Sequence, residues 1–147
     1  LRHIYIEEEN YLWVSNQRAF DLMLEGFEPP ETSNPEKNEF YDMIDAQLTT
    51  EIFGLFSPTK PEFAIEMSKL PIQTTARYEA QEIAEFYVRM YSNASNMKNL
   101  KSIKEKIIWL ANESRSKLNN DFSSSFSFSI DRILLNSSCK SIFCCCR

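Results

Sequence analysis

Glycine is scarce in this chain, with only Gly26 and Gly54 among the 147 residues. Glycine provides the left-handed backbone conformations that tight hairpin turns and phosphate-binding loops need. The scarcity excludes a glycine-rich nucleotide loop, and no Walker motif occurs. It favours helices joined by short turns that prolines mark.

Histidine and cysteine are also rare. His3 is the only histidine, which excludes the common catalytic zinc sites built on two or more histidines. The four cysteines lie in the last nine residues, at Cys139, Cys144, Cys145 and Cys146. The rest of the chain therefore has no disulfide framework, which indicates a reducing, intracellular compartment.

The chain has no surplus of positive charge. Its net charge is −5 at pH 7, and its single basic run is spread around a helix. Nucleic-acid backbones are bound by basic stripes, so we predict no nucleic-acid partner. No apolar run reaches the roughly 18–20 residues that span a bilayer, so no transmembrane segment is predicted.

Helical periodicity is what the sequence does contain. Apolar residues, 43% of the chain, recur every three or four positions, which predicts an all-α bundle of about five helices. The first is predicted to start at an N-cap Ser15 and to end at Gly26, before a proline-containing loop at 27–38. The others are predicted at about 40–53, from a capping box at 59–62 to Pro71, at about 76–94 and at about 97–118.

The same spacing predicts the core. Phe40, Ile44, Leu48 and Ile52 recur every four residues along the second helix, so we expect them to face inward. Four residues of the third helix, Phe63, Ala64, Met67 and Leu70, are expected to do the same.

The composition changes abruptly near residue 119. We therefore divide the chain into a helical domain at 1–121 and an irregular tail at 122–147 rich in serine, phenylalanine and cysteine. The abrupt change indicates read-through of an intron or a shifted reading frame. The cysteines of the tail could bind a metal or accept palmitate, although three adjacent cysteines do not easily face one metal ion.

Two further patterns suggest chemistry. Asp42 and Asp45 lie three residues apart, a spacing that suits a glycosidase carboxylate pair or Mg²⁺ ligands, or simply a solvated helix face. Thr74 and Thr75 are predicted to open the fourth helix. Free backbone N–H groups there would bind an anion such as a pyrophosphate, or the threonines would only cap the helix.

Several short segments, in order, resemble the ADP-ribosylglycohydrolase family in its larger, poorly characterised branch. They span roughly residues 5–120 and comprise EEEN at 7–10, WVSN at 13–16, DMIDAQLTTEIFG at 42–54, LFSPTKPEFA at 55–64, LPIQTTA at 70–76 and EFYVRMY at 85–91.

This resemblance implies part of a larger all-α hydrolase domain that removes ADP-ribose from modified substrates with two Mg²⁺ ions. In that family the metal ligands come from a Thr-Asp-Asp motif and an Asp-x-Asp-Thr/Ser motif, and neither occurs in this chain. No catalytic or metal-binding residue is therefore assigned, and the chain is expected to be inactive as an internal fragment.

The resemblance does suggest residues that line a substrate cleft: Gln47, Thr74 and Thr75. Thr74 and Thr75 stand where many family members carry a Ser-His pair, so substrate specificity is expected to differ. One alternative is a non-catalytic helical module whose uncovered apolar faces bind a partner protein. Another is a membrane-associated protein acylated at Cys144, Cys145 and Cys146.

Overall fold

The computed structural model describes residues 12–97 and 102–115. Within these ranges the chain forms five α-helices, one 3₁₀ helix and no strand, which confirms the all-α prediction. The predicted tail at 122–147 lies outside the described residues. The α-helices are α1 (Val14–Leu24), α2 (Asp45–Phe56), α3 (Pro61–Thr75), α4 (Tyr78–Ala94) and α5 (Ile103–Arg115), and the 3₁₀ helix (Glu31–Ser33) lies between α1 and α2.

α4 lies at the centre of the fold and packs on two sides. One side, which includes Ala84 and Val88, meets α2 and α3 in a cluster of seven buried residues, five of them alanines. The other side, with Phe86 and Met90, packs against Leu110 and Ala111 of α5. Alanine has almost no side chain, so the first cluster brings helix backbones close together.

The two ends of α1 differ in how well the sequence predicted them. Gly26 ends the helix as predicted: its φ is +98°, and the N–H of Phe27 donates to the Leu22 carbonyl at 3.0 Å. This geometry is a Schellman motif. The predicted N-cap is wrong, because the helix begins at Val14 and Ser15 lies inside the first turn.

The predicted ends of α2 and α3 also need correction. α2 begins at Asp45, not near residue 40, and continues through Gly54 to Phe56. Pro61 opens α3 as predicted, but the N-cap residue Lys60 makes no side-chain cap, so the capping box is wrong. α3 does not end at Pro71 and runs on to Thr75.

Gly54 lies where α2 packs against α4. A Cβ at this position would lie 2.3 Å from the carbonyl oxygen of Val88 and 2.7 Å from the Cβ of Tyr91. α2 and α4 therefore approach each other so closely that only glycine fits between them. Ala46 and Thr50, on the same side of α2, are also small and buried.

The orientation of α2 and of α3 differs from the prediction. Of the large residues that were expected in the core, Phe40 lies before α2 and is half-buried, and the others are exposed. Small neighbours such as Ala46 and Ala64 are buried instead. Ala64 is the one residue of the third-helix set that was predicted correctly. Eight exposed residues define the uncovered face: Ile44 just before α2, Leu48, Ile52, Leu55 and Phe56 along α2, and Phe63, Met67 and Leu70 along α3.

Candidate functional site

Four segments of the chain meet at a buried polar centre. α1 contributes Ser15, the connection after it contributes three residues, and α2 and α3 each contribute one. Each of these residues is at most 3% exposed, so its polar groups need partners inside the protein. We define the polar centre as Ser15, Thr32, Ser33, Asn38, Asp45 and Thr75.

Hydroxyl groups satisfy the carbonyls at the end of α3. The last carbonyls of a helix have no partner within it, and burying them without one is costly. Three side-chain donors from α1 and the 3₁₀ helix meet this need, which stabilises the turn of α3 beyond Pro71. The contacts are Ser33 Oγ to Gln73 O (2.6 Å), Thr32 Oγ1 to Thr74 O (2.8 Å) and Ser15 Oγ to Thr75 O (2.9 Å).

Asp45 caps α1 from another helix. Its Oδ2 accepts the backbone N–H of Ser15 at 2.9 Å and that of Asn16 at 3.2 Å. Both N–H groups belong to the first turn of α1, where the helix dipole favours a negative charge. The acceptor at this N-terminus thus comes from 30 residues away along the chain.

Asn38 joins the remaining parts of the polar centre. Its Nδ2 donates to the carbonyl of Thr32 at 3.0 Å and, at 3.4 Å, to that of Ser15. Its Oδ1 accepts the N–H of Phe40 at 3.1 Å. Both ends of this buried amide are therefore used to hold the α1–α2 connection in place.

Arg77 forms two hydrogen bonds next to the polar centre. Its Nη2 donates to the carbonyl of Pro30 at 2.7 Å, and its backbone N–H donates to the carbonyl of Tyr41 at 3.2 Å. The turn between α3 and α4 is thereby tied to the long connection between α1 and α2.

Thr74 and Thr75 do not open the fourth helix, so that prediction is wrong. They form the last turn of α3, and α4 begins only at Tyr78. The backbone groups left over at the end of a helix are carbonyls, which repel anions. A pyrophosphate is therefore not expected at these residues, although their role in a substrate cleft stays a prediction.

The three predicted cleft residues occupy different environments. Thr75 is 3% exposed, and its Oγ1 is buried without a hydrogen-bond partner among the described residues. Thr74 is half-buried, and its Oγ1 donates to the carbonyl of Leu70 at 3.0 Å. Gln47 is half-buried on α2, two residues after Asp45. Of the three, Gln47 and Thr74 are partly exposed to solvent and Thr75 is not.

The predicted carboxylate pair is not brought together in one environment. Asp45 is buried against α1, whereas Asp42 is exposed in the turns before α2. Across residues 12–97 and 102–115, no three histidine, cysteine or acidic side chains are grouped closely enough to hold a metal ion. The described residues therefore do not fit the two Mg²⁺ ions that the family resemblance implies.

One carboxylate outside the polar centre is perturbed. Burial raises the pKa of Glu82 on α4, and the neighbouring charges of Glu85 and Glu79 raise it further. Its Oε2 is buried and has no hydrogen-bond partner in the described part of the chain. Glu82 therefore does not belong to a fully solvated acidic face.

The polar centre was not predicted from the sequence. Thr32, Ser33 and Asn38 lie in a stretch that was predicted as a loop, and loops are usually exposed. The available signal was the density of hydroxyl and amide side chains between Pro30 and Asn38. Such side chains often bond to backbone groups.

No family model, curated protein or solved structure matches this chain. Among the helices that the structure describes, none combines the length and apolar character needed to cross a membrane.

Proposed function

We propose that this chain is a helical part of a hydrolase that cleaves ADP-ribose glycosidic linkages, and that it is inactive by itself. One observation supports this proposal. Three segments that carry the family resemblance, at 13–16, 42–54 and 70–76, lie far apart in the sequence. They meet at the polar centre through Ser15, Asp45 and Thr75.

The contacts suggest what the polar centre does in such a hydrolase. Its carboxylate and most of its hydroxyls are bonded to helix ends, so it holds α1, α2 and α3 in place and does not react. Thr74, whose carbonyl accepts the hydroxyl of Thr32, and Gln47, two residues after Asp45 along α2, are both partly exposed. Both are uncharged hydrogen-bonding groups, which suits contact with ribose hydroxyls.

Two Mg²⁺ ions would supply the Lewis acidity and the activated water in such a hydrolase. Since the described residues offer no ligand set for them, we assign them no step here. The contribution of this chain is to position one wall of the substrate cleft.

The test has a catalytic and a binding measurement. The purified chain with Mg²⁺ is expected to release no ADP-ribose from an ADP-ribosylated peptide. Titration with millimolar ADP-ribose is expected to shift the amide NMR signals of Gln47 and Thr74. Thr74→Ala should weaken these shifts, whereas Thr49→Ala should not, since Thr49 bonds in the same way to a carbonyl four residues earlier.

Either measurement can overturn the proposal. Catalytic release by the chain would show that it is active alone. An absence of shifts at Gln47 and Thr74, in a chain with a folded spectrum, would remove the role in a substrate cleft.

A second candidate is a non-catalytic helical module that binds a partner protein, and the uncovered face favours it. Eight large apolar side chains, each at least 42% exposed, are unusual on a soluble surface. A well-folded monomer in sedimentation with no affinity for a hydrophobic dye would count against this function.

A further inference from the structure

α2 is apolar on two opposite sides. Ala46, Thr50 and Gly54 are buried against the rest of the fold. Half a turn away, Leu48 and Leu55 are 44% and 48% exposed. A stripe of large apolar side chains on the outer side of a helix marks an interaction surface when it is part of a large exposed patch. The outer side of α2 therefore has the composition of an interface.

α3 extends this surface. The start of α2 and the end of α3 both bond to Ser15, so the two helices run antiparallel. Their exposed apolar residues thus form two stripes that run in opposite directions along neighbouring helices. Phe56 and Phe63, at 73% and 56% exposed, flank the short α2–α3 connection.

The size of the uncovered face matches that of a stable interface. Its eight side chains together expose roughly 800 Å², taking about 200 Å² for one fully exposed large side chain. Monomers rarely expose an apolar patch larger than about 300–600 Å². A standard protein–protein interface buries about 800 Å² on each partner.

The charges beside the face suit a second copy of the chain. Along the exposed side of α3, Glu66 comes first and Lys69 comes later, whereas Glu62 pairs with Arg89 of the same chain at 3.4 Å. A two-fold axis that runs across α3 would align the α3 helices of two copies antiparallel. Each Lys69 would then lie towards Glu66 of the other α3. Two-fold symmetric dimers are also the commonest oligomers, since one patch serves both copies.

We propose that the uncovered face is the interface of a two-fold symmetric homodimer, in which α2 and α3 of one copy pack on α2 and α3 of the other. This inference does not depend on the hydrolase function. It makes the outer side of α2 part of a core that two chains share.

Analytical ultracentrifugation of the full chain tests the proposal. The chain is expected to sediment as a dimer, and Leu48→Glu is expected to weaken the dimer by roughly 100-fold or more, because both copies lose a central apolar contact. Far-UV circular dichroism should show unchanged helix content. Leu24→Glu is the matched control, since Leu24 is 61% exposed and belongs to α1, not to either helix of this face.

Charge exchange tests the two-fold arrangement. Glu66→Lys should weaken the dimer, and the double variant Glu66→Lys with Lys69→Glu should restore it, because the opposite charges meet again across the axis. A generic apolar association would not show this recovery, so a lack of rescue would overturn the antiparallel arrangement.

A monomer at all concentrations would overturn the homodimer. The rate at which peroxide oxidises Met67 would then show whether another segment of the same chain covers the uncovered face. Slow oxidation would show that another segment of the same chain covers the face, and rapid oxidation would leave the face to a different partner. Open-ended aggregation without a defined dimer would also contradict the proposal.

Discussion

Replacing Gly54 with alanine tests the close approach of α2 and α4. In an isolated helix this change would be favourable, because alanine exceeds glycine in helix propensity by about 1 kcal/mol. In this fold the added methyl group would meet the Val88 carbonyl at 2.3 Å, whereas ordinary contacts begin at 3.4 Å. Two of the three nearest atoms, Val88 O and Ser92 N, belong to the backbone of α4 and cannot rotate away as a side chain could.

The size of the effect follows from this 1.1 Å deficit, the difference between 3.4 and 2.3 Å. Overpacking of a tight core costs about 1–3 kcal/mol or more. Separating α2 from α4 by about 1 Å would also forfeit a quarter to a half of each dispersion contact in the alanine-rich cluster. After the gain in propensity, we expect a net loss of about 2 kcal/mol. That loss corresponds to a fall in Tm of roughly 8–16 °C.

Urea unfolding followed by far-UV circular dichroism measures this loss. Thr49→Ala is the control within the same helix, because Thr49 is exposed and its replacement should change stability by no more than about 0.5 kcal/mol. Gly26→Ala provides a contrast, since no atom lies within 4 Å of its added Cβ and any loss comes from the positive φ. If Gly54→Ala stabilises the protein, the packing of α2 on α4 is wrong.

Substitutions at three other residues probe buried polar groups by the same assay. Asp45→Ala should cost about 1–3 kcal/mol because two N–H groups of α1 lose their acceptor, and Asp45→Asn should cost less; equal losses would argue against the cap. Thr75→Val should be neutral or stabilising because it removes an unpartnered hydroxyl, and a clear loss would reveal a missed partner. Burial raises the pKa of Glu82, so the folded state binds its proton more tightly than the unfolded state does. Stability should therefore fall as the pH rises from about 4.3, the ordinary glutamate pKa, through the raised value. Glu82→Gln should flatten that fall, and an unchanged pH profile would contradict this cause.

The helices themselves were largely predictable, but the direction in which two of them face was not. The regular spacing of Ile44, Leu48 and Ile52 was a true signal of a helix. It could not reveal that the opposite side, with Ala46 and Gly54, packs inward. Large apolar residues mark the core in most helices, and here close backbone packing outweighs that preference. Only the position of α4 decides between the two sides.

The polar centre was harder to predict, because its partners are distant in sequence. Ser15 looked like a local N-cap, yet the acceptor at the start of α1 is Asp45. Thr74 and Thr75 follow Pro71, which normally stops a helix, and hydroxyls from another part of the chain support the extra turn. Rules for helix starts and stops use only neighbouring residues, so they cannot predict these long-range contacts.

The way in which α1 is attached has a consequence for local unfolding. Its buried apolar residues, Ala19, Phe20 and Leu22, belong to neither apolar cluster around α4, and the polar centre joins it to α2 and α3 through hydrogen bonds. Hydrogen bonds of this kind act together, and losing one exposes the others to water. We therefore expect α1 and the connection up to Ile44 to open as one cooperative unit, before α2, α3 and α4 do. In native-state hydrogen exchange their amides should share one low opening free energy, and a protease should first cut the chain there.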